Sequence, residues 1–84
     1  MLIFLHVFVD AKSIDKVTSE LTKLPYVVDV YEVTGEYDVI ATVKVNDIGE
    51  FRKLLKDEVL RIPGVRSVIS SVVLYTHKKD GVPQ

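Results

Sequence analysis

The sequence predicts a small α+β domain of order βαββαβ, a ferredoxin-like sandwich with two helices on one face of a four-stranded antiparallel sheet. Three observations support this prediction. Sixteen of the 84 residues are valine, which favours strands. Two segments carry apolar residues at the three- and four-residue spacing of an amphipathic helix. The stretch around Pro25 recurs around Pro63, where a helix again gives way to a strand, as two βαβ halves require.

The first strand and the first helix are predicted from Leu2 to Leu24. Leu2–Val9 is a β-rich run without turn residues. The helix is predicted over Lys12–Leu24, and Ser13 is a plausible N-cap. Its apolar face consists of Ile14, Val17, Leu21 and Leu24. Pro25 ends the helix, because proline disfavours helical backbone in the residue before it.

Two further strands and the second helix follow. The strands are predicted over Val27–Thr34 and Tyr37–Val45, and the short connection with Gly35 suits a hairpin. Asn46-Asp47 offers the N-cap of the second helix. Its apolar residues, again at helical spacing, are Ile48, Phe51, Leu55 and Val59.

The remaining residues complete a single domain. Pro63-Gly64 leads into the last predicted strand, Val65–Tyr75. We expect residues 1–78 to form the domain and residues 79–84 a polar C-terminal tail. The 84 residues suffice for one small domain and include no cysteine, which excludes disulfides and thiolate zinc sites. Oligomerisation is then the expected means of additional stabilisation.

Composition also argues against several classes of partner. A net charge of −1 provides no basic face for nucleic acid. An RNA-recognition module of the same strand order needs exposed aromatics beside basic residues, whereas the third strand has only Tyr37 at its start and Lys44 near its end. The longest apolar stretch, Met1–Val9, is far shorter than the ~18 residues of a membrane span. We therefore expect a cytoplasmic protein.

Both faces of the predicted sheet are apolar. In the first strand Ile3, Leu5, Val7 and Val9 form one face, and Leu2, Phe4 and Phe8 flank His6 on the other. The last strand likewise has apolar residues on both faces. With helices covering one side only, an open apolar sheet face usually marks an interface. The sequence thus predicts at least a homodimer whose sheets pack face to face.

No catalytic or metal-binding constellation is present in the sequence. Nucleophile-elbow, phosphate-loop, zinc-protease and calcium-loop patterns are absent. His6 lies in mid-strand among aromatics, which favours an interface histidine over a general base. No catalytic residue, metal ligand or cofactor is therefore predicted, and the chain is not expected to be an enzyme.

Asp38 is an unusual residue to begin a valine-rich strand, because aspartate is disfavoured in strands. Alternation places it on the same face as Ile40 and opposite the face that meets the helices. A carboxylate beside a glycine turn could bind a zwitterion, with the carboxylate facing the ammonium and the turn amides facing the ligand carboxylate.

These motifs resemble a known family. Thr34–Ile40, followed by Val43, Asn46–Ile48 and Phe51, resembles the core signature of the effector-binding domain of Lrp/AsnC regulators, also called the RAM domain. Ile62–Val65 and Val72–Leu74 resemble its closing strand. The resemblance spans the chain from the first strand to about Lys78. Family members normally carry an N-terminal helix-turn-helix, so the chain resembles a stand-alone form of the effector domain.

The resemblance implies a function and a site. It implies a homodimer that assembles into octamers or decamers, amino-acid effectors bound between dimers, and modulation of full-length Lrp/AsnC-type regulators without direct DNA binding. By position, the implied ligand-binding residues are Thr34, Gly35, Glu36, Tyr37, Asp38, Ser70 and Ser71. The family often has two hydroxyl residues two positions apart in the last strand, where this chain has Val68 and Ser70.

Two alternatives stay open at this stage. One is an oligomerisation scaffold that joins full-length regulators without a ligand. The other is a small dimeric α+β-barrel enzyme, because this fold also hosts catalysis. A buried pocket beside His6 with a second polar residue would favour the enzyme.

Overall fold

A computed structural model describes all residues from 1 to 84 and confirms the βαββαβ order. The elements are β1 (Leu2–Val9), α1 (Ile14–Lys23), β2 (Val27–Glu32), β3 (Val39–Lys44), α2 (Ile48–Leu54), β4 (Val65–Val72), β5 (Lys78–Lys79) and β6 (Val82–Pro83). The main sheet has the order β2-β3-β1-β4, with every neighbouring pair antiparallel. Both helices pack on one face, as the ferredoxin-like prediction requires.

The core lies between that face and the helices. Alternate residues of the two central strands are fully buried, and the helices contribute residues at the predicted spacing. The core residues from these elements include Ile3, Leu5, Val7, Val39, Ala41, Val43, Val17, Leu21, Phe51 and Leu54. Each fully buried valine, leucine, isoleucine or phenylalanine side chain contributes about 1.5–3 kcal/mol. The hydrophobic effect therefore stabilises the packing of both helices on this face.

The two helices begin in different ways. Asp47 caps α2 as predicted, because its carboxylate accepts a hydrogen bond from the Glu50 N–H at 2.8 Å. Ser13 occupies the N-cap position of α1, but its side chain makes no capping hydrogen bond. A 3-10 turn, Ala11–Ser13, leads into α1 instead. After α2 the chain widens into a π-helical turn, Leu55–Val59.

The Pro63-Gly64 motif is explained by a close approach. Gly64 has a φ of +99°, and its carbonyl accepts a hydrogen bond from the Asp10 N–H at 2.9 Å. A Cβ at this position would lie 2.4 Å from the Cβ of Ser13 and 3.2 Å from Val17 Cγ2. Glycine is required because both the backbone conformation and the packing against α1 exclude a side chain.

The strands end earlier than predicted. β4 was expected to reach Tyr75 but ends at Val72, after which Val73 donates one more bond to the Leu2 carbonyl. Its neighbour β1 begins at Leu2, so no ladder partner remains beyond this point. β2 ends at Glu32 and β3 begins only at Val39, so both strands stop short of the predicted hairpin. Residues 33–38 form an irregular connection between them.

The C-terminal residues form a second, two-stranded sheet. β5 and β6 pair across Asp80-Gly81, whose φ values are +50° and +80°. Two consecutive positive φ values and the Asp-Gly sequence are typical of a tight type I′ hairpin. Residues of the expected polar tail, 79–84, thus belong to this C-terminal hairpin. Neither helix of the domain is long and apolar enough to cross a membrane.

Candidate functional site

The sheet face opposite the helices is uncovered and largely apolar. This open face carries Leu2, Phe4, His6 and Phe8 of β1, all half-buried. Ile40 of β3 and Ile69 of β4 lie beside His6 in the register, and Ile69 is 49% exposed. Tyr31 on β2 is 54% exposed. A contiguous apolar surface of this kind is typical of an interface.

His6 lies near the middle of the open face. Its ring centroid is 4.8 Å from that of Tyr37, and its Nε2 is 3.4 Å from the Ser71 hydroxyl. Its Nδ1 is buried and has no hydrogen-bond partner. An unsatisfied buried polar atom costs about 1–3 kcal/mol. His6 lines none of the three cavities of the domain.

The turn segment Thr34–Asp38 lies at the end of the open face where β1 ends. Thr34, Gly35 and Glu36 are exposed. Gly35 has a φ of +108°, and a Cβ there would meet no atom within 4 Å. The predicted glycine turn is therefore present, and its backbone is accessible.

Tyr37 and Asp38 anchor this turn segment to the sheet. The Tyr37 ring packs on His6 and on Phe8, with a centroid distance of 4.9 Å to Phe8. The Asp38 carboxylate accepts a hydrogen bond from the Val9 N–H at 2.8 Å. Asp38 thus satisfies a backbone donor where the β1–β3 ladder ends, a structural role that the sequence did not reveal.

The predicted serines do not share one surface. Ser70 pairs with Leu5, on the helix side of the sheet, whereas Ser71 pairs with Phe4, on the open face. Both serines are exposed. Among the predicted site residues, Tyr37 and Ser71 contact His6. Within one protomer the predicted residues line no common pocket.

A groove of about 660 Å³ lies at the opposite end of the open face, where β1 begins. We call it the sheet-end groove; its walls are sheet residues around Phe4, Asp29 and Lys44 and hairpin residues around Lys79. Thr42 is only 5% exposed, and its hydroxyl donates to the Asp29 carboxylate at 2.8 Å. Sequence analysis missed this pair; the signal was a threonine at an outward-facing position of the valine-rich strand β3.

A smaller cavity of about 310 Å³ lies on the helix side. There the Tyr26 hydroxyl donates a hydrogen bond to the Glu58 carboxylate in the π-helical turn. Burial raises the pKa of Tyr26 well above its usual range, and the bonded Glu58 carboxylate adds to the rise. This contact joins the start of β2 to the turn after α2. No group of three or more histidine, aspartate or glutamate residues is arranged to hold a metal ion.

Comparison with known proteins agrees with the fold. The family model described as the Lrp/AsnC ligand binding domain matches residues 2–83. The HTH-type transcriptional regulator FL11 of Pyrococcus horikoshii is 39% identical over 79 residues, which cover 94% of this chain and 52% of that protein. The chain therefore spans about half the length of this relative.

Solved structures show the same fold. A transcriptional regulator of Neisseria meningitidis, described as a complex with L-Met, superposes with a TM-score of 0.89 at 24% identity, covering 99% of this chain and 55% of that chain. A Thermus thermophilus protein superposes with a TM-score of 0.86 at 23% identity, covering 93% of this chain and 98% of that chain. Since the family model matches nearly all of its residues, the chain belongs to the family of Lrp/AsnC ligand-binding domains.

Proposed function

We propose that this domain is an oligomeric, non-catalytic sensor of a small molecule, an amino acid, that modulates transcriptional regulators in the cytoplasm without binding DNA itself. The match of residues 2–83 to the Lrp/AsnC ligand binding domain carries this proposal. The relatives that match it are transcriptional regulators. The domain's own net charge of −1 gives it no electrostatic attraction to nucleic acid.

The open face supports the oligomer. Its half-buried aromatics and the exposed Ile69 would be removed from water by a second copy stacked across a two-fold axis. Further association of dimers into octamers or decamers would use other surfaces, and the turn segment is the accessible element best placed for it. An effector bound between dimers would bind the larger assembly better and so shift the oligomer population.

The turn segment supports effector binding. Gly35 exposes turn backbone, and Asp38 provides a carboxylate fixed by the Val9 N–H. Thr34, Glu36 and Tyr37 flank these groups, with Ser70 and Ser71 supplied by the last strand. One protomer holds no pocket around these residues, which agrees with a site that a second dimer completes. The Neisseria complex with L-Met supports an amino acid as the ligand class.

The test combines a thermal-shift screen of the twenty amino acids with light scattering. A ligand at ~100 times its dissociation constant adds about 2.7 kcal/mol of stability. For a domain of this size that raises the melting temperature by roughly 11–22 °C. We expect a few chemically related amino acids to raise the melting temperature. We also expect light scattering to give the mass of a dimer or a larger species. A monomeric mass at micromolar concentration would refute the oligomer, and no shift with any amino acid would refute the sensor.

The scaffold is the second candidate, because the implied ligand-binding residues form no pocket in the protomer. A scaffold would join full-length regulators through the same surfaces without an effector. Co-purification of the domain with a full-length Lrp/AsnC-type regulator, unaffected by every amino acid, would favour it. Amino-acid-dependent changes in that co-assembly would favour the sensor.

A further inference from the structure

Residues 74–84, which we call the C-terminal arm, make no polar contact with the rest of the domain. β4 ends at Val72, and the Val73 N–H donates the last hydrogen bond to the sheet, to the Leu2 carbonyl at 2.9 Å. Beyond this bond, the arm forms hydrogen bonds only within itself: β5 pairs with β6, and the Gln84 N–H donates to the His77 carbonyl at 2.9 Å. No salt bridge joins the arm to residues 1–73.

The arm also stands off the open face instead of packing closely on it. Two cavities, of about 660 and 370 Å³, are each lined by Leu2 and Phe4 of β1 and by Thr76 and Lys79 of the arm. The larger cavity is the sheet-end groove. Elements that pack on each other rarely leave such voids, because protein interiors are close-packed. No arm residue belongs to the hydrophobic core, so the core does not hold the arm in place either.

Apolar side chains on the arm are exposed to water. Leu74 is 95% exposed, Tyr75 67% and Val82 58%, and these are the three most exposed large apolar residues of the domain. The Tyr75 ring packs on the ring of His77, another residue of the arm, with centroids 4.8 Å apart. A single exposed apolar residue is ordinary, but a group of them on one unattached segment indicates a surface that another chain covers.

The hairpin at the end of the arm needs such a partner to be stable. Its strands, β5 and β6, have two residues each. The turn at Asp80-Gly81 determines its shape, but an isolated two-stranded hairpin is at best marginally stable in water. Because its own domain supplies neither hydrogen bonds nor close packing, the stabilising contacts must come from outside the protomer.

The position of the arm favours a second copy of this chain as that partner. The arm forms a wall of the sheet-end groove beside Phe4, a residue of the open face. A copy that covers Phe4 must therefore contact the arm as well. A two-fold axis makes this contact reciprocal, so each arm lies against the other protomer and extends the apolar surface of the open face.

We propose that the C-terminal arm is a dimerisation arm, which packs Leu74, Tyr75 and Val82 against the second copy. This inference rests on the open-face dimer of the proposed function and adds to it a contact surface outside the main sheet. Because the arm makes so few contacts with its own domain, its apolar side chains contribute to the affinity of the dimer and not to the stability of the protomer.

Sedimentation equilibrium tests this proposal through the monomer–dimer dissociation constants of wild type, Leu74→Ala, Tyr75→Ala and Leu60→Ala. Leu60→Ala is the matched control, because Leu60 is also exposed but lies at the end of the π-helical turn, on the helix side. Full burial of one leucine side chain corresponds to about tenfold or more in affinity. Since the dimer contains two arms, we expect each arm substitution to raise the dissociation constant at least about tenfold. Leu60→Ala should leave it unchanged.

Crosslinking measures the position of the arm directly. The chain contains no cysteine, so Val82→Cys provides a single attachment point for a photoactivated crosslinker. The labelled variant is mixed with isotopically heavy wild type, left to exchange subunits and irradiated. We expect crosslinks between a light arm peptide and heavy peptides of the other protomer. Crosslinks that join light peptides of one chain only would overturn the proposal.

The outcomes separate this inference from the proposed function. If wild type is dimeric and both arm variants keep its dissociation constant, the dimerisation arm is overturned, the open-face dimer stands, and the arm is left for a partner other than this chain. A wild type that stays monomeric at every concentration would overturn both the arm and the oligomer. Circular dichroism of the dilute monomers should give the wild-type melting temperature for both arm variants. A variant that unfolds would contradict the arm's lack of contacts with its own domain.

Discussion

Replacing Gly64 with alanine tests how closely the last strand approaches the first helix. Gly64 has a φ of +99°, which L side chains rarely adopt, and an added Cβ would lie 2.4 Å from the Ser13 Cβ and 3.2 Å from Val17 Cγ2. Left-handed backbone costs roughly 1–2 kcal/mol. An extra carbon forced into a packed contact costs about 1–3 kcal/mol more. Gly64→Ala should therefore lower the free energy of unfolding by about 2–5 kcal/mol.

Gly35→Ala is the matched control. Gly35 has a φ of +108°, but an added Cβ there meets nothing within 4 Å, so only the backbone cost applies. Each kcal/mol changes the melting temperature by roughly 4–8 °C in a domain of this size. In thermal unfolding followed by circular dichroism, Gly64→Ala should melt at least about 4 °C below Gly35→Ala. Equal midpoints would show that the Pro63-Gly64 turn and α1 do not approach each other as described.

Three further predictions concern polar groups. Asp38→Ala removes the acceptor of the Val9 N–H and should cost about 1.5–3 kcal/mol in urea unfolding, whereas Asp38→Asn keeps an oxygen acceptor and should cost less; equal losses would contradict this. The pKa of Tyr26 is raised in the folded state. The stabilisation that Tyr26 gives the folded state is therefore fully present below its unfolded pKa of about 10 and decreases as the pH rises above that value. The stability difference between wild type and Tyr26→Phe should thus be constant up to about pH 9 and shrink above pH 10, and a difference that grows would refute the assignment. His6→Phe removes the unsatisfied buried Nδ1 and should raise the free energy of unfolding by about 1 kcal/mol; a loss of stability would mean that Nδ1 has a partner in solution.

Local patterning was sufficient to predict the fold, because core burial selects alternate residues of β1 and β3. Local patterning did not predict where the strands end, because the end of a strand depends on the hydrogen-bonding partners that the neighbouring strand provides. Val65–Tyr75 is β-prone throughout, yet β4 stops at Val72 because β1 begins at Leu2 and offers no further ladder. Similarly, the β2–β3 connection is longer than predicted, since the Asp38 side chain takes over the bond to Val9 that a strand backbone would make.

The candidate site was predictable only in part. The glycine between the second and third strands was predictable as a turn residue, and Gly35 indeed has a positive φ, which glycine adopts readily. Asp29 faces Thr42 because the register of β2 against β3 shifts between Val27 and Asp29. The alternation of apolar and polar residues does not predict such a shift. The separation of Ser70 from Ser71 onto opposite faces follows directly from strand alternation. The predicted ligand-binding residues line no pocket within one protomer, so their joint role in binding stays a prediction.

The open face makes a final prediction about concentration. If a second copy covers it, unfolding consumes a dimer and releases two chains, so the melting temperature must rise with total protein. A hundredfold increase in concentration adds about 2.7 kcal/mol per dimer. A cooperative unit of two 84-residue chains changes its midpoint by roughly 2–4 °C per kcal/mol, which gives a rise of about 5–11 °C. A midpoint that stays constant over this range would mean that the half-buried aromatics of β1 remain in contact with water, and the apolar face would then require a partner other than this chain.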